Sequence, residues 1–492
     1  MAEHFLFHHG ASEVVPFTAK YAYPSQATRS QKTLTKIQPK GLQTYQQGNI
    51  MRIEFPASGY LSAQNSTLQF DVATHVTNVK SSANTKYLWA AVPGTAHAFI
   101  KRLRVLYGSV VLEDIRDYNT LTALITNHTV SPAVAGSSAA IGAGGYQGWE
   151  ENLSSDIERH VGWLRATKIG GSPGQLPSDT ELTPMTFCLN LMSGLLTNQK
   201  LIPLKWLSSQ LAIEIEFAGK YEVFNTYTGA TTATAPTQAL IKAYTDTEAI
   251  AAVTGFTTIS DTPGDTTVPV LAGYSIGNVA FNAELLEFDS AYDAAFFQGL
   301  ATGVPIKFHS WHTFNYGITQ STNVNVQIQE RSRSVQMALW TFRQATATSN
   351  LDYVNNTWKQ NTDTYQWRIG GKYFPAQPVR CKGYASEAHV ELKKSLQILG
   401  DYESQKNIGP IAFNKNLIAD FPARWVAGTD LRTTTGSGAD LNGLNAEEQS
   451  DMNLQLYSSS TNINPDGILL SVFVMYDALL VIKQNNQIDL IM

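Results

Sequence analysis

The sequence predicts an all-β protein built from two similar β-sandwiches in tandem. A repeated unit, strand alternation and long polar connections predict it together. The unit is a strand, a tight glycine turn, a second strand and an amphipathic helix. Its first copy runs from Ile100 through Gly108-Ser109 to Ile115, with a helical stretch from Asp117 to Asn127. Its second runs from Tyr365 through Gly370-Gly371 and Pro375 to Cys381, with a helical stretch from Ser386 to Leu399. Gly-Ser and Gly-Gly between apolar strands are hairpin signals, because glycine takes positive φ without a Cβ clash. The two turns lie a little over half the chain apart.

The elements follow in order. Residues 1–47 lack apolar periodicity, and Pro16, Pro24 and Pro39 interrupt any helix, so they read as an extended arm. The arm is mildly basic, with Lys20, Arg29, Lys32, Lys36 and Lys40 against Glu3 and Glu13. The first sandwich is placed at 48–222. In it Leu211, Ile213, Ile215 and Phe217 face one way, opposite Ala212, Glu214, Glu216 and Ala218. The second is placed at 270–486. Val324, Val326 and Ile328 there alternate with Asn323, Asn325, Gln327 and Gln329, as in strands with one wet face. Leu469–Tyr476 is apolar on both faces and reads as a covered central strand. It follows its hairpin by about the same interval as Leu211–Phe217 follows the first, and the two are expected to correspond.

Helices are few. Tyr118, Leu121, Leu124, Ile125 and His128 recur at helical spacing behind Asp117 as N-cap, and Leu392, Leu396 and Leu399 behind Ser386. Three long polar stretches, Thr129–Asp179, Asn225–Thr266 and Thr429–Asp451, read as loops from one end of the sandwiches, since loops this long in compact domains are functional or disordered. Residues 223–269 are taken as an inter-domain or tower loop and 487–492 as a C-terminal tail.

Only 15% of the residues are charged, against ~25% in soluble domains generally. A polar, weakly charged surface suits a protein that packs against many neighbours, because burying an unpaired charge is costly. Lys plus Arg total 35 against 40 Asp plus Glu, a net charge of −5, which argues against a surface that coats nucleic acid. Two cysteines, Cys188 and Cys381, make no disulfide framework. Met1–Gly10 has no apolar signal core, which predicts a protein made without export. The longest apolar run, Ile468–Ile482, contains Ser471 and Asp477 and is too short for a spanning helix.

Candidate chemistry reduces to packing. Glu214 and Glu216 share a strand face, as the acid and nucleophile of some β-sandwich glycosidases do, but Ala218 and Gly219 stand where a third acid belongs. His309 and His312 lie three apart on a strand and point to opposite faces, so they do not share a metal. His8 and His9 have no acidic or thiolate partner nearby. Gly142, Gly144, Gly145 and Gly148 lack the preceding strand and the Lys-Ser/Thr of a phosphate loop. Sequons at Asn65, Asn127, Asn152 and Asn355 are read as chance matches. No catalytic, metal or cofactor-binding residue is assigned.

Ile100–Ile125, Gly194–Phe217 with Lys200-Leu-Ile-Pro-Leu-Lys-Trp206, Trp367–Pro378 and Leu469–Ile482 together resemble the double jelly-roll major capsid proteins of tailless double-stranded DNA viruses. The likeness is to the polinton-like virus and virophage type, with adenovirus hexon more distant. The resemblance implies two upright jelly rolls per subunit and three subunits per pseudo-hexagonal capsomer, tiling an icosahedral shell. It implies partners as well: other copies of the chain, penton and minor capsid proteins, and an internal membrane or inner layer reached by the N-terminal arm, with no sequence-specific nucleic acid. The location implied is the virion. The alternative reading is a tandem carbohydrate-binding protein, with some of the nine Trp and twenty-one Tyr as sugar platforms.

Overall fold

Eight main strands build each sandwich, with two short strands added to one sheet of each: Tyr45–Gln46 and Tyr60–Leu61 in the first, Thr357–Trp358 and Ile488–Ile491 in the second. The computed structural model describes residues 30–77, 87–91, 95–129, 185–229, 256–257, 270–347, 353–354, 357–382, 385–399, 425–433, 441–447, 452–459, 468–483 and 488–492. The first sandwich contains β1 (Ser30–Ile37), β2 (Ile50–Glu54), β3 (Thr67–Thr77), β4 (Ile100–Tyr107), β5 (Val110–Arg116), β6 (Met185–Leu189), β7 (Leu211–Phe217) and β8 (Val270–Phe288). One sheet has the order β1-β8-β3-β6 and the facing sheet β2-β7-β4-β5, all antiparallel. β8 reaches 19 residues. Its register shifts against β3 twice, at Leu271/Gly273 and Gly277/Ala280, and such bulges let a long strand bend.

The second sandwich contains β9 (Val304–Gly317), β10 (Asn323–Ile328), β11 (Val335–Gln344), β12 (Thr364–Ile369), β13 (Lys372–Arg380), β14 (Ala427–Asp430), β15 (Met452–Tyr457) and β16 (Ile468–Ile482). Its sheets are β9-β16-β11, with β14 on β11, and β10-β15-β12-β13. Each strand of the first sandwich therefore has its counterpart eight strands later. Even an isolated bridge recurs, Leu61 to Ile202 in one sandwich and Val335 to Leu444 in the other.

The hairpins and helices stand as expected. β4 and β5 turn at Gly108, with φ of +57°, and β12 and β13 at Gly370 and Gly371, with φ of +54° and +80°. After each hairpin comes a helix, α1 (Tyr118–Thr129) and, past the short α2 (Lys220–Val223) and α3 (Ser290–Leu300), α4 (Ser386–Ser395). Both long post-hairpin helices are entered through a left-handed residue, Asp117 and Ala385. β16 runs between β9 and β11, which makes it the covered central strand its sequence predicts. β10 alternates cleanly, with Val324, Val326 and Ile328 inward.

Several expectations need correction. Leu211–Phe217 corresponds to Met452–Tyr457, not to Leu469–Tyr476, whose counterpart is Val270–Phe288. The segment expected to open the second sandwich is thus the closing strand of the first, paired with both β1 and β3. A long insertion separates it from β7, and linear spacing does not disclose which sheet a strand completes. The arm is also not free from Ser30 onward, because β1 pairs with β8 along its whole length. The supposed tail pairs through Ile488–Ile491 with Leu479–Ile482.

Within the stretches read as loops, Asn225–Gly229 pairs with Tyr87–Ala91 and Phe256–Thr257 in a small separate sheet, and Thr429 lies in β14. α4 stops at Ser395, leaving Leu399 exposed. Leu444 of the third stretch bridges to Val335; residues 130–179, 230–255, 258–266, 434–440 and 448–451 of these stretches, residues 1–29 with His8 and His9, and Asn355 lie outside the described residues, and so do the glycine segment 142–148 and Asn152.

Candidate functional site

The two sandwiches meet along β9, and this seam holds a cluster of buried polar groups. Glu113 sits in β5 between core residues Leu112 and Ile115. Its carboxylate accepts hydrogen bonds from Ser193 Oγ at 2.7 Å, Leu195 N at 2.7 Å and Gly194 N at 3.2 Å, all in the loop after β6. A fourth comes from Ser310 Oγ of β9 at 3.2 Å. Burial pushes the Glu113 carboxyl up to about 7, against the opposing pull of these four donors. Gly194 lies so close to β9 that a Cβ there would fall 1.7 Å from the carbonyl oxygen of His309. Only glycine lets the two backbones approach this way.

Each end of β9 is held too. Asn198 Nδ2 donates to the Lys307 carbonyl at 2.6 Å, and Lys200 Nζ to that of Pro305 at 3.2 Å. At the other end Thr313 Oγ1 donates to the Arg116 carbonyl at 2.8 Å. Asp117, expected as a helix cap, instead sends its carboxylate across the seam to Asn315 Nδ2 and Arg343 Nη2, each at 2.7 Å. Arg343 is buried in β11, and its other donors reach Ser471 Oγ, Tyr353 OH and Asn315 Oδ1. A buried guanidinium with each of its three nitrogens engaged is costly to disturb, because removing a partner strands the charge. Tyr353 and Val354 pack with Ala123 of α1, closing the seam with apolar contact.

The residues singled out in the sequence do not converge. Glu214 is clamped between Arg52, at 3.0 Å, and Arg104, at 2.7 Å, in a ladder of ion pairs on the outer face of the first sandwich. His309 pairs with Asp477 and His312 with Glu330, at 2.8 and 2.9 Å. Asp477 also meets Lys307 at 3.4 Å and accepts from Ser334, just ahead of β11, and from Gln336 in it. Among the described residues no three His, Cys, Asp or Glu side chains are arranged to hold a metal, and no helix is long and apolar enough to cross a membrane. Both cysteines are unpaired; Cys381 is buried, which pushes its thiol up to about 12. Asn65 of the first sequon donates its amide to Glu284 and Ser62.

Sequence reading passed over Glu113, Ser310 and Arg343. Arg343 left a signal, the one charge in the largely apolar strand Val335–Gln344; Glu113 stands beside Asp114 and Arg116 and Ser310 is uncharged, so neither stood out. A lone charge such as Arg343 implies a buried partner, but the sequence does not name it.

No family model and no curated protein matches the sequence. Solved structures do match its fold. PBCV-1 VP54, fitted into a reconstruction of the virophage Sputnik, aligns over 96% of this chain and 98% of its own, with a TM-score of 0.53 at 10% identity. The Faustovirus major capsid protein aligns over 95% and 93%, with a TM-score of 0.53 at 8% identity. The PBCV-1 virus capsid model gives 96% and 98%, with 0.52 at 11%. The chain is a double jelly roll. Sheet orders β1-β8-β3-β6 and β2-β7-β4-β5, repeated eight strands later, are that fold written as pairings. In this double jelly roll, polar groups of the two sandwiches bond to one another across the seam.

Proposed function

We propose that this chain is a major capsid protein whose homotrimers form pseudo-hexagonal capsomers on the facets of an icosahedral viral shell. One observation carries the reading: the double jelly roll extends over nearly the whole chain, and nearly the whole length of the viral capsid proteins it resembles. Two equivalent sandwiches locked at a seam supply two of the six units a hexagonal block needs. The low charge suits wide contact between copies. On this reading the protein is structural, not an enzyme. It works in the virion, with other copies of itself, penton and minor capsid proteins as partners, and an internal membrane or inner layer beneath.

The carbohydrate-binding alternative has less support. Trp311, Trp340, Trp358, Trp367 and Trp425 are buried, so they fill cores and do not offer stacking platforms for a sugar. Negative-stain microscopy and light scattering of the purified chain test the proposal. Trimers with hexagonal outline are expected; a monomer at micromolar concentration overturns it.

A further inference from the structure

We infer that an aromatic strip along α3 is the seat of the chain's own N-terminal segment, with Tyr21 and Tyr23 laid across Tyr292 and Phe296. The inference goes beyond the capsid reading and concerns a single chain. α3 joins β8 to β9, and of its eleven residues only Leu300 is buried. A helix so open to water is expected to be polar. This one carries Tyr292, Phe296, Phe297 and three Ala, with a single acid and no Lys or Arg.

The aromatic side chains form one continuous surface. Phe288, Tyr292 and Phe296 recur at every fourth residue, with ring centroids 4.2 Å and 6.3 Å apart. Trp206 flanks the row, 6.2 Å from Phe296 and 5.6 Å from Phe297. These four are half-buried, and Phe297 is 46% exposed. Polar bonds fix the strip on the first sandwich. Tyr60 OH donates to Asp293 Oδ1 and accepts from Trp206 Nε1, each at 2.9 Å, and Lys205 pairs with Asp293. A held row of rings facing water marks a binding surface.

The start of the chain is the occupant that this geometry supplies. β1 begins at Ser30, whose partner across the sheet is Phe288, two residues before α3. Because the pairing is antiparallel, the chain upstream of Ser30 leaves β1 in the direction in which β8 runs on into α3. Continuing the register sets Arg29 opposite Asp289, a cation against the acid that caps α3. Tyr23 lies seven residues before Ser30, a reach of up to about 24 Å in extended chain. The helix between Phe288 and Phe297 covers only roughly 14 Å. Tyr21 and Tyr23 share one side of an extended segment, about 7 Å apart, and Pro24 keeps Tyr23 extended. Tyr292 and Phe296 offer two rings at nearly that spacing, 6.3 Å. Aromatic pairs at such distances attract beyond the area they bury.

Limited trypsinolysis of the full chain reads the docking, because Lys20 and Arg29 bracket Tyr21–Pro24. Tyr21→Ser with Tyr23→Ser, and separately Phe297→Asp, should speed cleavage at both sites by at least about tenfold, with cleavage inside the sandwiches unchanged. The tyrosine variant decides if Phe297→Asp fails to fold, since it alters no side chain of either sandwich. Ser25→Cys with Gln298→Cys, in a Cys188→Ser background, adds the geometry. A short bismaleimide should join the two positions within one chain, read by peptide mass mapping of the single-chain band. Unchanged cleavage in both variants, with no link formed, overturns the inference and leaves the capsid reading untouched. Links that form only between chains, in a mixture of the two single-cysteine variants, would give the strip to the arm of another copy and overturn it as well.

Discussion

Glu113 carries the pH dependence of the joint. Its unfolded carboxyl titrates near the ordinary value of ~4.3, whereas burial pushes the folded one up to about 7. Between these values the folded state binds more protons than the unfolded one, so stability falls as pH rises through that window. The contribution is full below the unfolded value and lost above the folded one. Glu113→Gln removes this titration. The melting temperature of the wild type relative to Glu113→Gln should therefore fall from pH 5 to pH 8, and a difference independent of pH would show that Glu113 does not titrate there. Gly194→Ala acts on the same joint by sterics. Its Cβ would overlap the His309 carbonyl, and the displacement should cost more than ~3 kcal/mol, read as a lower melting temperature and faster proteolysis between the sandwiches. Glu214→Gln with Glu216→Gln loosens only surface pairs with Arg52 and Arg104, worth about 1 kcal/mol or less each, and should leave assembly intact.

The hairpin turns and β1 are the elements whose loss is most informative. Gly108→Val and Gly371→Val force a branched side chain into positive φ, costing on the order of 1–3 kcal/mol. The first should cost more, because a Cβ at Gly108 also meets Ser209 at 3.1 Å, while Gly371 opens to free space. Denaturant midpoints of the two variants check the ranking. A chain starting at Gly41 loses β1 and its eight-residue pairing with β8. Reading the arm as extended predicts that such a chain keeps its stability; the pairing predicts a loss on the order of a few kcal/mol from hydrogen bonds and edge packing. Calorimetry of the truncated chain decides between them.

At the scale of the molecule, one joint locks the two sandwiches together. Disrupting the internal joint should affect folding of the single chain, whereas substituting an exposed side chain such as Leu34 should leave folding intact. Arg343→Ala should thus lower the melting temperature by removing a buried guanidinium that serves Asp117, Asn315, Ser471 and Tyr353, a change of about 3–5 kcal/mol. Leu34→Arg should not lower it. Parallel melting and light-scattering measurements separate the two effects; equal destabilisation by both variants would contradict the division of labour.

Local features were legible in the sequence because they are local. Gly108 and Gly370-Gly371 announce hairpins through backbone sterics, β10 and β7 announce their inward faces through alternation, and the recurrence of hairpin and helix announces duplication. Pairing across the insertions was not legible. Val270–Phe288 reads as a strand in isolation, but only the tertiary structure makes it the partner of β1 and β3 and so the end of the first sandwich. The joint was equally hidden. Glu113, Ser310 and Arg343 sit far apart in the chain and acquire meaning only when two sandwiches bring donors to acceptors out of water. The sequence by itself determined two β-sandwiches and their turns; which strands close each one, and how the two are locked, follows from burial that exists only after folding.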